Sequence, residues 1–326
     1  SVRSSARSGG VLNPIGERMV GAADGMDNPM PSDGTLRYLR QRQATLSETA
    51  NTRKRYVSIT RTVCFVLGML GSMCAAVAGG LTAGSGHLWL TTLATAAFLV
   101  SAYLLKALLT PNSIGQHVRA RMGSEALKRE AFLYATASGH YRDLSDDEAK
   151  RKRLGEAVNK INRIVADLSG IEVSKGPSAS CPSGALSHEE YISKRVEGQI
   201  VYYRKAATDL DKPLRRFRFV ELSLAVLAAL LSAFAAIMGK HSGFDFAVLP
   251  AVLTTITGGI IAHVEASRYN ELITSYRATA NRLEAHKAMN AASSEFSEFV
   301  VQAEAIIETE TQSWQVLWDQ SGKRTN

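Results

Sequence analysis

Polar and apolar positions are spread unevenly along this chain. Between Val63 and Leu105 there is no Asp, Glu, Lys or Arg, although 21% of the 326 residues are charged. The silence is interrupted only by Gly79–His87, "GGLTAGSGH", which is small, polar and uncharged. With a similar block later on, four apolar runs result: Val63–Leu81, Leu88–Leu105, Phe219–Met238 and Phe246–Val264. Only the third holds a charge, Glu221, near its start. A helix of about 18 or more apolar residues crosses a hydrocarbon core roughly 30 Å thick. Core helices of a soluble bundle keep a polar stripe, whereas these runs are apolar or small on every side. The pattern predicts an all-α integral membrane protein with four transmembrane helices in two hairpins, plus long soluble helices. Its first partner is then the lipid bilayer.

Charge orients the hairpins. The net charge of +8 matters less than its placement. Basic residues crowd Arg37–Arg61 before the first run and follow the second at Lys106, Arg119, Arg121, Lys128 and Arg129. They recur before the third, from Arg204 to Arg218, and after the fourth at Arg268, Arg277, Arg282 and Lys287. The two turns, Thr82–His87 and Gly239–Asp245, hold only Lys240. Lys and Arg stay on the cytoplasmic side, so both hairpins dip in from the cytoplasm and both termini lie there. This places the chain as a multi-pass protein of the inner (plasma) membrane. A nucleic-acid patch would need interleaved aromatics or a helix-turn-helix pattern, which are missing; nucleic acid is not an expected partner. Beside the apolar ends, the same residues suit anionic headgroups.

An offset of 156 residues carries the first hairpin onto the second and puts Gln43 on Gln199, Ala50 on Ala206, Arg121 on Arg277 and Leu127 on Leu283. Few letters are shared, yet the layout repeats without a gap, as tandem copies do. Each copy is a long polar helix, a two-span hairpin and a returning helix. The soluble helices are expected at Leu36–Thr60, Asn112–Ser138, Glu189–Asp211 and Glu265–Ser293. Ser145-Asp-Asp-Glu148 predicts a capping-box start for a helix whose Leu154, Val158, Ile161, Val165 and Leu168 form an apolar stripe. A closing helix, Glu295–Trp318, puts Phe299, Ala303, Ile306, Ile307, Trp314 and Trp318 near one face. The domains are then a disordered leader over 1–34, a first two-span domain over 35–168, a linker over 169–187, a second two-span domain over 188–320 and a tail over 321–326. The leader has no periodicity. Its start, "SVRSSARSGG", with no acid before Glu17, resembles an organellar transit peptide. It equally suits a cut fragment of a longer chain, or a vector-derived remnant.

"YISKRVEGQIVYYRKAATD", running into "FRFVELSLAVLAALLSAFAA", resembles the SLATT family, the SMODS and SLOG-associating two-transmembrane effector domains. "YRATANRLEAHK" and "AEAIIETETQSWQVLW" are similar to that family's last helices. "GSEALKREAFLYATASGHY" in the first copy is similar to its post-membrane helix. The resemblance covers about residues 36–320 as two tandem copies and rests on packing residues; no active-site residue is carried over. It implies a membrane-perturbing or pore-forming effector of a nucleotide-signalled bacterial conflict or antiviral defence system, gated through its cytoplasmic helices. The nucleotide-sensing or nucleotide-producing component would be a partner protein, since neither is legible here. The alternative is a non-conducting membrane-anchored scaffold that recruits a soluble partner through its long helices.

Catalytic chemistry is absent from the pattern. There is no GxxxxGK[ST] loop, no GxSxG elbow, no HxxxH or HExxH pair among seven scattered His, and no CxxC among Cys64, Cys74 and Cys181. The expectation is no enzyme, no cofactor and no metal. Inside the membrane runs, Ala225, Ala229 and Ala233 recur every four residues, with Ala228, Ser232 and Ala236 beside them. Small residues at that spacing let helices approach closely, either within the hairpin or along the seam of a homo-oligomer. Thr91, Thr95, Ser101, Thr254 and Thr257 are the candidate pore-lining hydroxyls, and Ser101 and Thr257 are repeat equivalents. Such groups either line a pore or bond back to their own helix carbonyls. Glu221, close to Arg215, Arg216 and Arg218, is expected in a headgroup-level ion pair. None of the runs supplies the buried acid that a proton or cation relay requires.

Overall fold

The computed structural model describes residues 34–81, 84–168, 176–238, 240–241, 244–290 and 295–323. The leader over 1–33 and the linker residues 169–175 lie outside the described residues, as do the side chains of Trp314 and Trp318.

The first stem and first span are one helix, α1 (Gly34–Gly80), about 70 Å long at 1.5 Å per residue. Nothing between Thr60 and Val63 caps or breaks it, so the polar and apolar parts expected as separate pieces are continuous. The chain turns into α2 (Ser85–Leu108), which lies close against α1. Gly71 allows that approach, because a Cβ there would stand 3.1 Å from the Phe98 ring. Next, α3 (Pro111–Ala135) starts on Thr110, whose hydroxyl accepts the Ser113 N–H at 3.2 Å, with Pro at the first turn. A tight turn follows, with Ala137 at φ 48° and Gly139 at φ 60°. Then α4 (Asp147–Ile164) begins one residue later than the capping-box reading requires. Asp146, not Ser145, is the cap, accepting the N–H groups of Glu148 (3.1 Å) and Ala149 (3.3 Å). A carboxylate supplies two acceptor oxygens where a hydroxyl supplies one, and it also favours the helix N-terminus electrostatically. The expected stripe of Leu154, Val158, Ile161, Val165 and Leu168 is buried throughout.

The second copy opens with a reciprocal capping box that the sequence reading passed over. Ser187 and Glu190 exchange bonds of 3.2 and 3.1 Å around α5 (His188–Tyr191). A π-helical segment, Ile192–Glu197, continues into α6 (Gly198–Met238), which runs through Pro213 into the third span. At the second turn, β1 (Lys240–His241) pairs antiparallel with β2 (Phe244–Asp245), a ladder only two residues long. The fourth span is α7 (Val248–Ser267). A left-handed Arg268 (φ 51°) separates it from α8 (Tyr269–Asn290), and α9 (Phe296–Lys323) closes the described chain. On α9, Phe299, Ala303 and Ile307 are buried as expected and Ile306 is half-buried.

The repeat offset pairs α1 with α5–α6, α2 with α7, α3 with α8 and α4 with α9. The polar halves of α1, α3, α4, α6, α8 and α9 nevertheless share one hydrophobic core, from Leu39 and Leu46 through Leu127 and Leu154 to Leu283 and Val300. Among the described residues, four helices are long and apolar enough to cross a membrane, and the fold is all-helical apart from the two-residue ladder.

Candidate functional site

In the membrane layer the helices contact in the order α2–α1–α7–α6. Val252, Ile256 and Ile260 of α7 pack against Phe65 and Met69 of α1 on one side and Leu224 of α6 on the other. The outer members are almost uncovered. Of the most apolar window of each, 6% is buried for α2 and none for α6, against 22% for α1 and 17% for the helix that begins with α7. Among the described residues, a row of this kind leaves α2 and α6 at its ends largely uncovered.

The candidate hydroxyls fall into two groups on this row. Thr91, Thr95, Thr254 and Thr257 each donate to the carbonyl four residues back on their own helix, at 2.8–2.9 Å. Thr95 and Thr254 are also exposed on the single chain. Ser101 is different: it is buried, and its hydroxyl donates to the Cys64 carbonyl of α1 at 3.3 Å while the Cys64 thiol lies 3.8 Å from the Ser101 carbonyl. Repeat-equivalent in sequence, Ser101 and Thr257 do not have equivalent surroundings, because α2 flanks the row and α7 sits inside it.

The small-residue rows divide in the same way. Along α6 the half-buried positions are Glu221, Leu224, Ala228, Leu231 and Ala235, the face turned to α7. Ala225, Ala229, Ala233, Ser232 and Ala236 are exposed in the single chain. Within the chain, Ala228 alone of these six is partly covered. The headgroup-level ion pair expected for Glu221 does not form among the described residues. Arg215 pairs instead with Asp211, one turn earlier, at 2.8 Å, and Arg218 donates to Asn270 Oδ1 at 2.9 Å. Both partners lie on the polar side, where the arginine stems reach without crossing apolar surface.

Below the membrane layer lies a charged joint that the sequence reading missed. Arg195, in the π-helical segment, donates from Nε and Nη2 to both carboxylate oxygens of Glu304 on α9, each at 2.8 Å. Its side chain is 1% exposed and that of Glu304 is fully covered. Tyr191 adds a hydroxyl bond to Glu304 at 3.1 Å, and the guanidinium lies 4.7 Å from the centre of the Phe132 ring on α3. Burial works against the charge on Arg195, and the Glu304 carboxylate outweighs it, so the guanidinium stays protonated. Burial, then Glu304, raises the Tyr191 phenol well above its ordinary range, which keeps it a donor. Two turns further, Tyr203 donates to buried Glu310 at 3.3 Å. A signal was present: Glu304 falls on the Phe299–Ala303–Ile307 face, where a lone acid implies a buried partner. What the letters withheld was which residue, 109 positions away, supplies it.

Comparison with known families divides the chain. Residues 191–314 match the family described as SMODS and SLOG-associating 2TM effector domain 1, a stretch that includes α6, both later spans and the Arg195–Glu304 joint. Residues 41–149 match a separate family of unknown function, DUF4231. The comparison supports one SLATT copy, in the second half, and does not show a second in tandem. No curated protein and no solved structure matches the chain. The four spans and the match over 191–314 make this a multi-pass membrane protein that carries one SLATT-family domain, in the second half of the chain.

Proposed function

We propose that the chain is a membrane-breaching effector of a nucleotide-signalled bacterial conflict system, assembled as a homo-oligomer and gated from its polar bundle. It resides in the inner membrane with both termini cytoplasmic, as the basic residues at the polar ends of the hairpins favour. It performs no catalysis of its own. The observation that carries this reading is the open row of spans. Among the described residues, one chain exposes Leu88, Trp89, Phe219, Leu222 and Leu230 on the helices at the ends of the row. Pore formation then has to be intermolecular, with α6 or α2 meeting a second copy. The small residues Ala225, Ala229 and Ala233 give α6 the surface on which backbones approach closely in lipid. Gating is supported by continuity, since α6 links the buried joint to the third span without a loop.

The test is potassium flux from liposomes holding the purified chain. Flux above that of protein-free liposomes is the expected result. Verified insertion without flux would favour the scaffold reading, in which the long helices recruit a soluble partner and the spans only tether.

A further inference from the structure

Two cavities border α3 and share Glu125 between them, and they differ in chemistry. One, of about 240 Å³ against α4 and α9, has mostly apolar walls such as Met122, Ile161, Ile164 and Ile307. The other, of about 210 Å³, lies between α1, α3 and α6 and is mainly polar. Arg121, Lys128 and the single wall carboxylate, Glu125, of α3 line it with Ser47 and Asn51 of α1 and Gln199 and Tyr202 of α6. It is therefore built by both repeats, with the α6 wall starting two residues after the π-helical segment.

Its charges are not balanced. Burial opposes the charge on Arg121, but the Tyr202 and Tyr276 phenols and the Glu310 and Glu125 carboxylates together hold it protonated. For Lys128 the compensation is incomplete, since Glu125, Cys181 and Glu304 favour its charge but do not outweigh burial and Arg195. No carboxylate stands within ion-pair distance of its ammonium among the described residues, and burial, then Arg195, pushes its pKa below the ordinary lysine value. Lys54 on α1 is likewise without an ion pair, its pKa lowered by burial and then by Arg121. Burial is also the main cause that drives His117, another wall residue, down to about 4, so it adds no charge at neutral pH. Two buried cations facing one wall carboxylate, with no ion pair closed on Lys128, leave a net positive pocket, and an anion is what relieves it. Neutral donors are available too. Among the described residues, the side chains of Ser47, Asn51, Gln199 and Tyr202 make no hydrogen bond within the protein, although each borders the cavity.

We propose that this pocket binds a small soluble phosphate-bearing anion, with Lys128 and Arg121 as charge partners and Ser47, Asn51 and Gln199 as neutral donors. A tetrahedral oxyanion presents several acceptors at once, which matches one guanidinium fork, one ammonium and several neutral donors. A lipid headgroup is out of reach. Ala50, in the pocket wall, precedes Val63, where the first uncharged apolar run begins, on the same helix by roughly 20 Å at 1.5 Å per residue. An occupant touches α1 and α3 on one side and α6 on the other, and so ties the two repeats together. The site stands whether or not the protein conducts.

Calorimetric titration of the full chain, in uncharged detergent at fixed ionic strength, tests it with sodium pyrophosphate as the probe. The expected result is saturable binding, one per chain, weakened at least tenfold by Lys128→Gln and about threefold by Gln199→Leu. Lys128→Arg should bind within threefold of the parent, and Lys160→Gln at the neighbouring cavity should bind as the parent does. Melting curves identify any variant that has lost its fold, and Gln199→Leu then carries the comparison. Non-saturating heats that are the same in the parent and Lys128→Gln would overturn the site. Sulfate binding as tightly as pyrophosphate would overturn its phosphate character. A silent pyrophosphate titration, together with Lys128-dependent binding to phosphatidylglycerol vesicles, would overturn the soluble ligand in favour of a headgroup.

Discussion

The two stems begin from the same plan and are held in place by opposite means. Leu39 on α1 corresponds to Arg195 ahead of α6, and both are buried. Leu154 on α4 corresponds to Glu310 on α9, and both are again buried. One repeat fills these positions with hydrocarbon; the other fills them with charges that need named partners. The stems differ in path as well. Val57 is a buried residue within unbroken α1, while its equivalent Pro213 cannot donate to the carbonyl of Asp209 and so weakens α6 near the membrane. In addition, α1 is packed by α2, α3, α4 and α7, whereas α6 meets chiefly α7 and α8. The first stem is a strut buried in the middle of the molecule. The second lies at the edge of the molecule, held by the core at its polar end and by polar joints such as Arg195–Glu304 and Tyr203–Glu310.

The joint should be where the comparison breaks most visibly. Glu304→Ala leaves Arg195 buried and uncompensated, and is expected to destabilise the protein by about 3–5 kcal/mol, read from unfolding in detergent. Arg195→Met with Glu304→Leu replaces the ion pair by hydrocarbon, as Leu39 does at the position equivalent to Arg195, and should recover most of that loss. A double variant as unstable as the single one would mean that this joint cannot be repacked with apolar side chains. In the strut itself, Leu39→Ala removes packing alone and should cost about 2–5 kcal/mol, with no polar rescue available.

A smaller effect comes from acid. His117 donates or accepts through Nδ1 at 2.9 Å from the Ala50 carbonyl, and its folded-state value is about 4, well below the unfolded one. Above pH 6.5 the ring is neutral in both states and contributes no pH dependence. Between 6.5 and about 4 the unfolded chain takes up a proton that the folded chain refuses, so stability falls as pH falls. The total is on the order of 3 kcal/mol, complete near pH 4. His117→Gln should flatten melting temperature against pH across that window; an unchanged slope would remove His117 as its source.

The smallest change is chemical. Cys181 is buried, and burial, as the largest cause, pushes its thiol up to about 11, so it should resist maleimide under native conditions. Ser183→Cys, two residues away and exposed, should label readily with little effect on stability. In right-side-out vesicles an impermeant maleimide should spare that cysteine. Labelling without permeabilisation would invert the proposed orientation.

Much of the architecture was legible because a bilayer imposes a length requirement that no soluble helix must meet. The four runs, the 156-residue offset and the Leu154–Leu168 stripe are all local or periodic signals. What stayed hidden depends on distant pairings. The partner of Arg195 is 109 residues away, and the π-helical segment has no propensity signature that separates it from its α-helical neighbours. Spans that are apolar on every side do not announce their order, so neither the α2–α1–α7–α6 row nor the burial of Ser101 against Cys64 could be read from the letters. The polar pocket stayed hidden for the same reason, as α1, α3 and α6 each contribute ordinary-looking polar positions.

The central claim is that one chain cannot enclose a conduction path, so that any breach of the membrane is made between copies. Ion flux from liposomes at rising protein density tests this most directly, in the parent and in Ala229→Leu, which thickens the exposed small-residue face of α6. The account predicts flux that rises more steeply than in proportion to protein in the parent. It predicts protein-free levels in Ala229→Leu, which still inserts and stays within about 0.5 kcal/mol of parent stability. Flux strictly proportional to protein down to one chain per liposome, and equal in the two proteins, would contradict it.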